Sequence, residues 1–189
     1  MSPPKLTPET AAIILRDGGV VAYPTEAVWG LGCDPFNPEA VQRLLEIKQR
    51  PANKGMIVIA ARPEQARPYV LWDELPADRR AAILASWPGP NTWLIPCRAD
   101  VPTCLRGEHD TLAVRVTAHP IAASLCDAMG GLVVSTSANR AGEAPARRFQ
   151  QLAPELRAQL DGWIDGDTSG QDQPSTIRDA RSGDVLRGG

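Results

Sequence analysis

Apolar residues recur at helical spacing in two early segments of the chain, and each segment is followed by a short continuous apolar run. The spacing predicts helices over 7–18 and 37–50, each opened by a capping Thr or Asn followed by Pro and Glu. The apolar runs at 19–23 and 56–60 predict buried strands, because a strand that is covered on both faces need not alternate.

The rest of the chain predicts further helices and strands in no strict order. The helical stretches are 63–69, 76–87, 120–129 and 149–160, and the strands are 92–97, 111–117 and 132–134, with two short strands over 175–187. In the strand 111–117, Leu112, Val114 and Val116 share one face, whereas Arg115 lies on the other. We therefore predict an α/β fold in which helices cover the faces of one twisted, mixed and largely parallel sheet.

Length and composition agree with a single globular domain over 1–189. The chain has 189 residues, of which 43% are hydrophobic and 22% are charged. Its net charge of -2 argues against a protein devoted to bulk electrostatic binding of nucleic acid, although it allows a local basic patch.

Several locations and site types are disfavoured by the composition. No run approaches the roughly 20 apolar residues of a membrane span, and the N-terminus lacks the apolar core of a signal peptide. The four cysteines form no CxxC pair, which is typical of free thiols in a reducing compartment. The two histidines are too few for the usual zinc sites. We expect a cytoplasmic protein with no membrane attachment and no protein-held metal.

Polar clusters stand where the predicted helices and strands end. Thr25 and Glu26 follow a buried strand, and a plain strand-to-loop turn explains them as well as a ligand site does. Glu26 is a candidate general base by position alone, and a structural role fits it equally. Lys48 and Arg50, with Lys54 beyond, can complement a helix dipole or can bind an anion.

Two further clusters lie on or after strands. Arg115 interrupts an otherwise apolar strand, so it is exposed, paired or directed into a pocket. The segment 135–139 places three hydroxyls and an amide directly after an apolar run, which suits either a ligand or a turn. No GxxxxGK[ST] or GxGxxG motif is present. A bound nucleotide would therefore have to be held by separate cations and hydroxyls from several segments.

Taken in order, the motifs YPTEAVWGLGCD, KQRP, LAVRVT, STSAN, PSTIRD and LRGG resemble the YrdC/TsaC family of threonylcarbamoyl-AMP synthases over about residues 6–189. The length is similar to that of the short, single-domain bacterial form. The resemblance implies a YrdC-like α/β fold with a concave, positively lined cleft. It also implies synthesis of L-threonylcarbamoyladenylate from L-threonine, bicarbonate and ATP, with release of pyrophosphate. A partner transferase complex would then use the product to form N6-threonylcarbamoyladenosine (t6A) at position 37 of tRNA.

The resemblance also implies a set of site residues, which includes the KxR…SxN signature. The catalytic residues would be Lys48 and Arg50, and the threonine-binding residues would be Thr25, Arg115 and Ser175. The ATP-binding residues would be Arg50, Lys54, Thr111, Ser135, Ser137, Asn139 and Arg187. Mg2+ is expected on the ATP phosphates. The segment after KxR departs from the pattern of the longer relatives, so no histidine is carried over.

Other functions are compatible with the same fold. A cationic concave face could bind double-stranded RNA or tRNA without catalysis, and the acidic balance of the chain weighs against this alternative. A paralogous branch with another activity is a second alternative. The polar, Gly-rich run 166–173 is a candidate flap beside Ser175.

Overall fold

Short strands and helices build the described part of the chain, residues 2–51, 55–140 and 142–188, in a computed structural model. The α-helices are α1 (Pro8–Arg16), α2 (Pro38–Lys48), α3 (Ala77–Ala85), α4 (Thr103–Arg106), α5 (Pro120–Met129) and α6 (Pro154–Arg157). The strands are β1 (Lys5–Leu6), β2 (Val21–Pro24), β3 (Trp29–Gly32), β4 (Ile57–Ala60), β5 (Asn91–Pro96), β6 (Thr111–Val116), β7 (Val133–Val134), β8 (Thr136–Ser137), β9 (Gly162–Ile164), β10 (Thr176–Asp179) and β11 (Val185–Arg187). Single 3-10 turns lie at Pro63–Gln65, Arg67–Tyr69, Trp72–Glu74 and Phe149–Gln151.

The strands form two mixed sheets with four parallel and five antiparallel pairings, so the α/β class is confirmed and the prediction of one largely parallel sheet is wrong. The smaller sheet has the order β1-β9-β2-β3-β8, and the larger has the order β11-β10-β5-β6-β4-β7. The chain passes from the larger sheet to the smaller at Ser135, between the ends of β7 and β8. The polar segment 135–139 therefore lies where the two sheets meet.

Strand β6 shows how the predicted alternation separates core from cleft. Leu112, Val114 and Val116 are buried in the main apolar core. The opposite face of β6 carries Ala113 and Arg115. Strand β4 pairs with β6 in parallel, and β5 pairs with it antiparallel. In β6, one face thus builds the main core and the other lines the cleft, while Ile59, which pairs with Arg115 in β4, packs in a second apolar cluster.

Helix α2 ends in a way that separates its last two cations. Asn37 caps its first turn by accepting from the backbone N–H groups of Glu39 and Ala40, at 3.1 and 3.2 Å. At its end Gln49 adopts a left-handed backbone with φ 53°, and the Arg50 N–H donates to the Leu45 carbonyl at 3.0 Å. The chain turns at Gln49, so that Lys48, the last residue of the helix, is buried, whereas Arg50 lines the cleft described below.

Most predicted elements are confirmed with small shifts at their ends, and two predicted helices are wrong. The stretch 63–69 is a pair of 3-10 turns, and 149–160 is a 3-10 turn followed by the one-turn α6. Prolines at 68 and 154 fall inside these stretches and lack the N–H group that a continuous helix would need there. The four cysteines are free thiols, as predicted. Within the described ranges no helix combines the length and the apolar content of a membrane span.

Strand β3 was not predicted because glycine hides its pattern. It pairs antiparallel with β2 and β8, and its Gly32 approaches β7 closely. A Cβ at Gly32 would lie 2.6 Å from the Val134 carbonyl oxygen. The missing side chain is what allows the two sheets to meet at this point.

Candidate active site

A cleft of about 510 Å³ opens between the two sheets, within the size range of small-molecule sites. Eight of the predicted site residues line it: Thr25, Arg50, Thr111, Arg115, Ser135, Ser137, Ser175 and Arg187. Lys48 and Asn139 do not line the cleft. Lys54 falls outside the described residues. Segments that are far apart in the sequence therefore converge on one concave surface.

A buried ion pair between Glu26 and Arg115 joins the two sheets across the cleft. Glu26 lies in the turn between β2 and β3, and Arg115 lies in β6. Arg115 Nη1 donates to Glu26 Oε2 at 2.7 Å, and the two side chains are 9% and 2% exposed. The Thr117 hydroxyl and the Ala118 N–H donate to Glu26 Oε1 at 2.8 and 2.9 Å. Arg115 is thus paired and also lines the cleft.

The surroundings of Glu26 give it a structural role. Burial opposes its ionisation, but the charge of Arg115 and the donated hydrogen bonds outweigh burial and lower its pKa. Both carboxylate oxygens already accept hydrogen bonds. The position that suggested a general base therefore holds a carboxylate that supports the site.

The three predicted threonine-binding residues are neighbours. Thr25 directly precedes Glu26, the partner of Arg115. Arg115 is opposite Thr92 in the β5–β6 pair, and the Thr92 and Ser175 hydroxyls are hydrogen-bonded at 2.9 Å. Hydroxyls and a guanidinium are thus gathered at one end of the cleft.

Arg50 and Arg187 form a second group of polar atoms in the cleft. Arg50 Nη2 donates to the Gly55 carbonyl at 3.0 Å, and Arg187 Nη2 donates to the Ser175 carbonyl at 3.1 Å. Burial, and after it the charge of Arg187, lower the pKa of the Arg50 guanidinium. Neither arginine forms an ion pair with a carboxylate of the described residues. Two neighbouring cations without a counter-charge favour an anionic ligand.

Lys48 reaches the site indirectly. Its ammonium donates to the carbonyl oxygens of Ser137 and Asn139, the second at 2.7 Å, and the residue is 4% exposed. Burial, followed by the charge of Arg50, lowers the pKa of Lys48 to about 8. Lys48 thus holds the backbone that presents the Ser137 side chain to the cleft.

Ser135, Ser137 and Asn139 are ordered by the junction of the sheets. The Ser135 N–H donates to the Ile57 carbonyl in the larger sheet at 2.8 Å, while Ser137 pairs with Gly30 in the smaller sheet. The Asn139 side-chain amide donates to the carbonyls of Arg140 and Glu143 at 3.0 and 2.7 Å. Asn139 therefore braces the loop, and the two serines face the cleft.

Sequence reasoning missed part of the lining. An apolar floor is formed by Met56, Ile57, Leu94, Leu105, Ala113 and Ile177. The alternation in β6 was the available signal for Ala113, because it shares a face with Arg115. The motifs also omitted Arg106, at the end of α4, which lines the cleft.

The segment 166–173, the predicted flap, contacts the end of the cleft that contains Thr25 and Arg115. Gln171 lines the cleft, and its N–H donates to the Glu26 carbonyl at 3.1 Å. Arg147 Nη2 donates to the Asp172 carbonyl at 3.2 Å. His119 Nε2 lies 2.9 Å from the Asp167 carbonyl. The segment is therefore tied to the same turn that carries Glu26, and its opening and closing remain a prediction.

Comparison with known proteins places these features in a family context. The Sua5/YciO/YrdC family model, described as telomere recombination, matches residues 13–189. A threonylcarbamoyl-AMP synthase of Xanthomonas oryzae pv. oryzae is 56% identical over 182 residues, which cover 96% of this chain and 97% of the relative.

Two solved structures share the fold. P. abyssi Sua5 complexed with L-threonine is 33% identical with a TM-score of 0.84, and the match covers 91% of this chain. The chain spans 50% of that Sua5 protein. E. coli YciO is 25% identical with a TM-score of 0.81, over 98% of this chain and 91% of YciO.

Removing the charge of Glu26 should destabilise the protein strongly. Glu26→Gln leaves Arg115 buried without its counter-charge, which should lower the free energy of unfolding by about 3–5 kcal/mol at neutral pH. Urea denaturation measures the change. Because the pKa of Glu26 is lowered in the folded protein, its contribution is present above the ordinary glutamate pKa. That contribution is lost as pH falls through the lowered value.

Asp73→Asn is the matched control for this variant. Asp73 pairs with Arg80 at 3.2 Å, but its side chain is 97% exposed. Its loss should cost less than about 1 kcal/mol. Equal effects of the two substitutions would show that the Glu26 pair does not hold the sheets together.

Proposed function

The chain belongs to the Sua5/YciO/YrdC family, and we propose that its cleft makes L-threonylcarbamoyladenylate from L-threonine, bicarbonate and ATP with release of pyrophosphate. One observation carries the proposal: a hydroxyl and guanidinium cluster adjoins two arginines without counter-charges in a single cleft. The names of the near-full-length relatives support the same activity. They favour it over the alternative of RNA binding without catalysis.

L-Threonine is proposed to bind beside Arg115. The pairing with Glu26 uses Arg115 Nη1, so the rest of the guanidinium can bind the carboxylate of the amino acid. The hydroxyls of Thr25 and Ser175 offer polar partners for the remaining groups of threonine. Because Glu26 holds Arg115 in place, the arginine does not have to be ordered when threonine binds.

ATP is proposed to occupy the rest of the cleft. Arg50 and Arg187 supply the charge for its phosphates, and Thr111, Ser135 and Ser137 supply hydroxyls. The apolar floor offers a surface for the adenine ring. Lys54 and Asn139 are retained from the family resemblance as ATP-binding residues.

The two sites adjoin at Ser175. Its hydroxyl bonds Thr92 at the threonine end, and its carbonyl binds Arg187 of the ATP site. In the proposed reaction the threonine amine forms a C–N bond with bicarbonate, which loses water, or with CO2, in which case the amine loses a proton; the product is N-carboxythreonine. The new carboxylate then attacks the α-phosphorus of ATP, a P–O bond forms, and the bond to pyrophosphate breaks with its electron pair. The protein contributes orientation and charge stabilisation.

Mg2+ is proposed to enter with ATP. Among the described residues, Glu26 is the one carboxylate that lines the cleft, and both of its oxygens are occupied. The described parts of the chain also hold no cluster of three or more His, Cys, Asp or Glu residues. These residues do not fit a resident metal, so phosphate oxygens and water would coordinate the ion. No step is assigned to it.

The product is an acyl adenylate, and a second reaction must transfer its threonylcarbamoyl group to an acceptor. A transferase that moves the threonylcarbamoyl group to adenosine 37 of tRNA, in the cytoplasm, is proposed as the partner. The family resemblance supports this step.

Pyrophosphate release tests the proposed function. The purified protein should release pyrophosphate from ATP when threonine and bicarbonate are both present, and omission of either should abolish release. Arg50→Ala should lower kcat/KM by roughly 100- to 1000-fold, because a charge that stabilises the leaving group is lost. Arg80→Ala is the control, since Arg80 pairs on the surface and does not line the cleft.

Failure of release in protein shown to be folded would contradict the synthase. In that case RNA binding that weakens steeply with salt would support the alternative function. Wild-type turnover in Arg50→Ala would leave the synthase in place and remove Arg50 from its catalytic role.

The role of Lys48 predicts a pH dependence. As pH rises through about 8 its ammonium loses a proton, and a neutral amine is a weaker donor to the two carbonyls. Turnover should therefore fall with rising pH around this value. Lys48→Arg should lack this fall even at lower overall turnover, because guanidinium keeps its charge. The profiles are compared over about pH 7 to 9.5, and titration of the threonine amine is common to both proteins. Superimposable profiles would contradict the role given to Lys48.

A further inference from the structure

Arg106, which belongs to none of the sequence motifs, lines the cleft at the end of α4. We propose that it binds the part of ATP that leaves as pyrophosphate. The inference rests on the proposed function, because it assigns a further residue to the same ATP site.

The Arg106 guanidinium is held in place by the backbone. Its Nε donates to the Val101 carbonyl at 3.1 Å, and its Nη1 donates to the His109 carbonyl at 2.8 Å. Its Nη2 makes no hydrogen bond with any residue that the structure describes. Two carbonyls therefore fix the plane of the group while a further donor stays available for a ligand.

Arg106 also lacks a counter-charge among the described residues. None of the ion pairs in the described chain includes it. Arg50 and Arg187 share this arrangement, since each donates to a carbonyl and neither pairs with a described carboxylate. Arg115, by contrast, is neutralised by Glu26. Arg106 thus resembles the two arginines assigned to the phosphates.

The packing around Gly55 brings the backbone of Arg106 close to the carbonyl that accepts from Arg50. The Met56 N–H donates to the Leu105 carbonyl at 2.7 Å. A Cβ on Gly55 would lie 3.4 Å from the carbonyl oxygen of Arg106. The Gly55 carbonyl is also the acceptor for Arg50. The backbone of Arg106 and the side chain of Arg50 therefore both lie against Gly55, and both residues line the cleft.

The position along β6 separates Arg106 from the threonine site. Arg106 and His109 precede Thr111 at the start of the strand, whereas Arg115 lies four residues further on. A strand rises about 3.3 Å per residue, so roughly 13 Å separates Thr111 from Arg115. An anion bound at Arg106 would therefore lie apart from the threonine carboxylate that we place beside Arg115, as the phosphates that leave as pyrophosphate would. Charge that develops on departing pyrophosphate would be stabilised there.

Binding of inorganic pyrophosphate and of AMP, each measured by calorimetry on the full chain with Mg2+, tests the inference. Arg106→Ala should weaken pyrophosphate binding by about 10- to 100-fold, the loss expected for a hydrogen bond to a charged group. AMP binding should stay within about 3-fold of the wild type, because AMP lacks the two phosphate groups that are assigned to Arg106. Arg98→Ala is the control of equal charge, since Arg98 is exposed and outside the cleft.

A structural effect is distinguished by the second ligand and by a second variant. Equal weakening of AMP and pyrophosphate would overturn the inference, because it would show general damage to the cleft. If Arg106→Ala does not fold, Arg106→Gln decides, since its amide can still donate to a backbone carbonyl. Unchanged pyrophosphate affinity in the folded variant would also overturn the inference. Absence of binding of both ligands to the wild type would instead count against the proposed function.

Discussion

The cleft depends on the ion pair between Glu26 and Arg115. It joins the turn of the smaller sheet to the central strand of the larger one, and it is almost completely buried. Breaking a buried pair of this kind lowers stability strongly, because the remaining partner is a buried charge with neither water nor a counter-charge beside it. Glu26 also accepts from Thr117 and Ala118, and its carbonyl accepts from Gln171. One carboxylate residue thereby links the two sheets and docks the segment that contains Gln171.

The distribution of charge explains how a chain with a net charge of -2 can hold a polyanion. Most of its arginines that form ion pairs do so at the surface, where such pairs contribute little. The cleft arginines Arg50 and Arg187 are held by backbone carbonyls instead, which orient a guanidinium without cancelling its charge. Lys48 extends the same principle to the loop, since its ammonium orders two carbonyls beside Ser137.

The pattern of apolar and polar residues along the sequence predicted most helices and strands, but it did not predict the long-range contacts that form the site. The alternation in β6 correctly assigned Leu112 and Arg115 to opposite faces. The division into two sheets was missed, because it depends on Gly32 approaching β7 and on the crossing at Ser135. Eight of the residues that the ordered motifs predicted for the site line one cleft. The motifs could not show that Lys48 is buried beneath the loop at 137–139. That contact joins residues 89 positions apart.

Threonine and the triphosphate of ATP are proposed to bind at adjoining ends of one cleft, between the sheets that Glu26 and Arg115 join. A crystal structure with L-threonine and a non-hydrolysable ATP analogue tests it most directly. We expect the threonine carboxylate within hydrogen-bonding distance of Arg115, and the phosphates within that distance of Arg50 and Arg187. Threonine bound away from Arg115, or phosphates bound outside the cleft, would contradict the account.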